Sequence, residues 1–90
     1  MKQYMVIEYF KPGCFEAIYE RFDQQGRLLP EGLLYLDSWV SKDKHVCFQM
    51  METDNVALFP AWFQRWEDLI EFEVYPIDES HPTQRGHVSA

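Results

Sequence analysis

The run Leu33–Ser41 (LLYLDSWVS) is followed by Lys42-Asp43-Lys44 and then by His45–Glu52 (HVCFQMME). Both runs are apolar with interleaved polar residues, as in strands, and the three charged residues between them make a hairpin loop. Upstream, Cys14–Gln25 carries Phe15, Ile18, Tyr19 and Phe22 at the i, i+3, i+4, i+7 spacing of a helix with one apolar stripe. Pro12-Gly13 punctuates its start and Gly26 suits the position just past its end. Before it, Tyr4–Phe10 is strand-like. Downstream, Phe59, Trp62, Phe63 and Trp66 repeat the helical spacing within Val56–Trp66, and Leu69–Ile77 is a last strand-like run. Thr53, Asp54 or Asn55 can cap this second helix. Pro60 breaks the pattern, because a proline inside a helix costs about 3 kcal/mol. A short or irregular turn should precede Pro60, with the helix starting near it, or the helix kinks there.

The order is β-α-β-β-α-β, the split βαβ arrangement of ferredoxin-like α+β folds: a four-stranded antiparallel sheet with both helices on one face. Ninety residues suffice for one domain, residues 1–78, followed by a polar tail, residues 79–90. A chain this short buries only about 60–65% of its unfolded surface, so its core is marginal. Hydrophobic residues make up 47% and aromatic residues 17%, more than a one-sided sheet needs, which points to self-association. A net charge of −7 without a basic cluster excludes nucleic acid and anionic membranes as natural partners. No apolar run approaches the ~20 residues of a membrane span, and Met1-Lys2-Gln3 enters a strand directly, without a signal-like segment. Cys14 and Cys47 read as free thiols, and so as cytoplasmic. His45 falls in or beside the hairpin loop. With His81 and His87 it offers no metal-binding spacing, and no cofactor is expected.

Alternation along the strands sorts their residues onto two faces. Met5, Ile7, Leu34, Leu36, Val40, Val46, Phe48, Met50, Phe72 and Val74 form a nearly all-apolar set, expected beneath the helices. The other set is mixed: Tyr4, Val6, Glu8 and Phe10; Tyr35, Asp37 and Trp39; Cys47, Gln49 and Met51; Glu71, Glu73 and Tyr75. Two helices cannot cover both faces, and an open apolar sheet is rare on monomers. A homodimer closing sheet on sheet over the mixed face is the economical solution. A hairpin loop at Lys42–Lys44 sets Trp39 opposite Cys47 and Asp37 opposite Gln49. The first and third strands lie side by side, read here as parallel, so Glu8 approaches Gln49. The expected cluster is Glu8, Asp37, Gln49 and Trp39, ringed by Tyr35 and Met51. Buried carboxylates need partners, and Arg27 and Arg65 are the nearest cations by topology.

Several segments together resemble a small bacterial family, the domain-of-unknown-function family 3303. They are Tyr4-Met5-Val6-Ile7-Glu8, Gly26 through Leu33, Asp37-Ser38-Trp39, Cys47 through Glu52, Trp62, Trp66-Glu67-Asp68-Leu69 and Phe72-Glu73-Val74. The resemblance implies a ferredoxin-like subunit of the dimeric α/β-barrel type and implies no reaction. At fold level such barrels are similar to cofactor-free quinone-forming monooxygenases, haem-degrading monooxygenases and muconolactone-isomerase-like proteins, but fold does not carry function. The haem-degrading pattern needs a His on a helix, which both helices lack. The Asn–Trp–His set of the quinone-forming enzymes is incomplete, since Asn55 reads as a cap.

These readings converge on a cytoplasmic homodimer that binds a small aromatic or apolar molecule, either between helices and sheet or between the two sheets. The alternatives are a cofactor-independent monooxygenase or isomerase, and a structural dimer without ligand. Glu8 and Asp37 are the candidate acid/base pair. Trp39 is a candidate platform for a flat ligand and Gln49 a candidate orienting amide, with Tyr35 and Arg27 completing the wall. By the same reasoning, a Glu8 under the helices, or without a cavity beside it, would remove the functional case entirely.

Overall fold

The computed structural model describes residues 1–78; the expected tail, with His81 and His87, lies outside the described residues. The elements are β1 (Lys2–Phe10), α1 (Phe15–Gln25), β2 (Leu34–Val40), β3 (Val46–Thr53), α2 (Leu58–Phe63) and β4 (Ile70–Pro76). The βαββαβ order is thus present. The strands form one sheet in the order β2-β3-β1-β4, and every neighbouring pair is antiparallel. The expectation that the first and third strands run parallel is corrected by their register, in which Glu8 pairs with Cys47 and Val6 with Gln49. Two strands flanking a common neighbour can be parallel to each other, but each must oppose that neighbour.

Local chemistry explains the element ends. Gly26 follows α1 with φ 69°, a value that favours glycine, and its N–H reaches the Phe22 carbonyl at 2.7 Å. Asn55 shapes the turn before α2 by accepting the Ala57 N–H at 3.0 Å, while Thr53 Oγ1 accepts the Asn55 N–H at 3.1 Å. The Leu58 and Phe59 N–H groups bond back three residues, to Asn55 and Val56. The helix therefore begins at Leu58, after the expected turn. Pro60 falls in its first turn, where a backbone N–H would have no intrahelical partner. It costs nothing there.

The core joins Tyr4, Val6 and Met51 of the sheet to Ile18 of α1 and to Phe59, Trp62 and Trp66 of the α2 region. Both helices thus cover the face that carries Tyr4, Val6 and Glu8. This reverses the expected sorting for β1 and β3: the mixed set lies beneath the helices. Met5, Ile7, Phe48 and Met50 point to the other face, which no element of the described chain covers. For β4 the sorting holds, with Phe72 inside and Glu71 and Glu73 outside. Cross-strand partners share a face, so Val6 goes with Val74 and Glu8 with Phe72.

β2 departs in a third way. Near its start Tyr35 pairs with Met51, but Asp37 pairs with Met50, Ser38 with Gln49 and Trp39 with Phe48. Leu36 is the extra residue of a β-bulge, and beyond it the strand's alternation is inverted. Arg21 fastens α1 to the turn beyond α2. Its two terminal nitrogens reach the Asp68 carboxylate at 2.8 and 2.7 Å, and one also reaches the Arg65 carbonyl at 2.9 Å.

Candidate functional site

Of the apolar stripe on α1, only Ile18 is buried; Phe15, Tyr19 and Phe22 remain partly exposed. Tyr19 and Phe22 are not packed solidly because a cavity of ≈ 210 Å³ lies between them and the sheet. Its walls come from all four strands, α1, the α2 region and the loop after α1, with Ile70 from β4. Glu8 and Phe10 come from β1, and Ile18, Tyr19 and Phe22 from α1. Cys47 and Gln49 come from β3, and Ser38 and Val40 from β2. Trp62 and Trp66 close the far side, with Arg27 at the loop after α1.

The lining is mostly apolar, with one carboxylate. Glu8 is only 7% exposed. Its carboxylate accepts a hydrogen bond from Gln49 Nε2. Gln49 Oε1 in turn faces Arg27 Nε at 3.5 Å, so the three side chains form a line, Arg27 to Gln49 to Glu8. Burial raises the Glu8 pKa from 4.5 to about 7, against the opposing pulls of the Gln49 hydrogen bond and the Arg27 charge. Burial, aided by Glu8, pushes the Cys47 thiol up to about 12, so it is an inert wall group and not a nucleophile. Burial also raises the Tyr19 hydroxyl, with smaller contributions from Cys47 and Glu8.

Arg27 is held from both ends. The indole N–H groups of Trp62 and Trp66 both donate to its carbonyl oxygen, each at 2.9 Å. Its guanidinium lies 3.5 Å from the centroid of the Tyr35 ring and 5.0 Å from that of Phe22. Tyr35 is fixed by a 2.6 Å hydrogen bond between its hydroxyl and Ser38. The next residue, Leu28, sits at φ 60°, and Arg65 donates to its carbonyl at 2.6 Å. Arg65, the other expected cation, is thereby committed to the backbone, away from Glu8.

The structure brings Glu8, Gln49 and Arg27 together, with Tyr35 behind Arg27. It does not bring Asp37 or Trp39 to them. The bulge at Leu36 turns both onto the uncovered face, where Trp39 is 52% exposed, and Asp37 accepts only the adjacent Ser38 N–H among the described residues. The expected Glu8–Asp37 pair and the Trp39 platform are therefore corrected. Ser38 stands where Asp37 was expected. Trp62 and Trp66, which repeat the helical spacing, are core and also the anchor of Arg27. An indole reaching a loop carbonyl leaves no signal in sequence spacing.

Glu8 lies under the helices, the position expected to remove the functional case entirely. That criterion presumed a solid core there, whereas the cavity beside Glu8 makes this side of the sheet the open one chemically. Among the described residues, no group of three His, Cys, Asp or Glu side chains could hold a metal ion. No helix among them is long and apolar enough to cross a membrane.

A family profile described as "Domain of unknown function (DUF3303)" matches residues 2–87, and the chain belongs to that family. No curated protein matches. Among solved structures, one from Deinococcus radiodurans, described provisionally as an antibiotic biosynthesis monooxygenase, is similar over 93% of this chain and 99% of its own. The identity is 12% and the TM-score 0.49, and a likeness of that size transfers no activity.

Proposed function

We propose that the protein binds a small, largely apolar or aromatic molecule in the cavity between α1, the α2 region and the sheet, with Glu8 as the group that exchanges a proton with it. The observation that carries this reading is a buried carboxylate beside an apolar cavity, hydrogen-bonded on one side only by an amide. A group needed only for structure would be better served by a non-ionisable side chain, which avoids desolvation of a charge. The cavity exceeds the roughly 150 Å³ that accommodates benzene in an engineered protein core, so one substituted ring fits.

The second reading is a cofactor-independent enzyme, a monooxygenase or isomerase, with Glu8 as general base or acid. A pKa of about 7 favours it, because proton transfer is most effective when the group titrates near working pH. Asp37 and Trp39 take no part in it.

The proposal includes a homodimer. The uncovered face presents Ile7, Leu34, Leu36, Trp39, Phe48 and Tyr75, a patch that a second sheet would bury. Two free thiols support a cytoplasmic location.

Glu8→Gln tests the site. It should keep the fold and the dimer, because shape and hydrogen-bonding capacity are largely retained. A screen of small aromatic molecules by thermal shift should then separate wild type from variant. Equal shifts in both for every compound that binds would refute a role for Glu8.

A further inference from the structure

Among the described residues, Arg27 is the lone cation on the cavity wall. Among the described residues it makes no ion pair, and its one hydrogen bond from the guanidinium is the 3.5 Å contact of Nε with Gln49. The terminal nitrogens are given no acceptor by that contact, although the guanidinium is half-buried and sandwiched against Tyr35 and Phe22. The sandwich and the two indoles on its carbonyl fix where the fork sits. A planar, immobilised guanidinium is the protein group best matched to a carboxylate. Glu8 does not fill that role, since Gln49 stands between the two.

We infer that the cavity selects a small aromatic monocarboxylic acid, its ring among Phe22, Tyr19 and Trp62 and its carboxylate alongside Gln49, in reach of the Arg27 fork and of Glu8. This deepens the proposed function and rests on it. The ligand carboxylate and an ionised Glu8 would repel each other, so the site takes the anion with Glu8 protonated. Glu8 then donates its proton in a hydrogen bond to the ligand oxygen while Arg27 offsets the charge. The other groups facing Glu8 do not disturb this balance. Cys47 from β3 and Tyr19 from α1 stay neutral, Gln49 and Ser38 carry no charge, and Trp62, Trp66 and Ile70 on the far wall are uncharged. Glu71 and Glu73 of β4 point to the opposite face.

The test uses benzoate, benzamide and toluene as probes, by titration calorimetry on the whole chain between pH 5.5 and 8.5. Benzoate should bind more tightly than benzamide. Its affinity should fall about tenfold per pH unit above about 7, with net proton uptake revealed by buffers of different ionisation enthalpy. Arg27→Met, which keeps a long apolar stem between the two rings, should weaken benzoate at least about tenfold and leave toluene unchanged. Arg27→Lys should restore part of the loss. Should Arg27→Met fail to fold, the proton uptake by wild type decides alone. Toluene or benzamide binding as well as benzoate, or benzoate binding without proton uptake, overturns the inference and leaves the apolar cavity reading standing. No binding by any of the three overturns both.

Discussion

Burying Glu8 makes the fold itself sensitive to pH, and the size of the effect follows from the structure. Its pKa is 4.5 when solvated and about 7 in the native protein. Between those values the native state holds a proton that the unfolded chain has lost, so stability declines as pH rises. The contribution is fully present below about 4.5 and is gone once pH passes about 7. At about 1.4 kcal/mol per pH unit the difference amounts to roughly 3 kcal/mol, a large share of the 5–15 kcal/mol typical of a domain. Glu8→Gln removes the titration but keeps an oxygen to accept from Gln49. The variant should therefore gain on wild type by roughly 3 kcal/mol between pH 4.5 and pH 8, and be the more stable of the two at pH 8. Urea unfolding followed by tryptophan fluorescence, at one fixed protomer concentration, measures this at each pH. Parallel pH profiles for wild type and Glu8→Gln would refute the argument, because they would mean that Glu8 is as well solvated in the native state as in the unfolded chain.

Other expectations follow from the same geometry. Trp39→Asp should weaken the proposed dimer by placing a charge in the middle of the uncovered face, seen as a shift toward the 10.8 kDa chain mass in light scattering. Wild type at that mass at every concentration would remove the dimer. Trp62→Phe takes away one of the two indole donors to Arg27 and part of a fully buried side chain. Roughly 1–3 kcal/mol of stability should be lost in chemical denaturation, and no loss would show that the carbonyl clamp is idle. Arg21→Ala breaks a bidentate but exposed ion pair, so a loss beyond about 1 kcal/mol would mean that the pair does more than a surface contact usually does.

The element order was legible in the sequence because helical and strand periods differ and because Pro12-Gly13, Gly26 and Pro60 mark the breaks. Which face of the sheet meets the helices was not. The usual rule sends the more apolar set inward, and here Met5, Ile7, Phe48 and Met50 lie on the face that no element of the described chain covers. The set with Glu8 and Gln49 looked unsuited to a core because part of it lines a cavity. β4 was sorted correctly since Glu71 and Glu73 leave no choice. The pairing of Glu8 with Gln49 could be found from strand adjacency alone, and it survived an error of strand direction because the two residues are diagonal neighbours in the true register. The misplacement of Asp37 and Trp39 has a single cause. A bulge at a leucine within a leucine-rich strand carries no compositional mark, since neither glycine nor proline is there to announce it.

That one surplus residue gives β2 an unusual genetic tolerance. Deletion of the Leu36 codon would leave Tyr35 against Met51 and Asp37 against Met50, an uninterrupted ladder in the same register. Asp37 and Trp39 would stay on the outer face, with Ser38 and Val40 still toward the cavity. The edit would straighten the strand and exchange nothing between the cavity wall and the uncovered face. A lineage carrying this hairpin can therefore lose one residue at Leu36 and keep both surfaces.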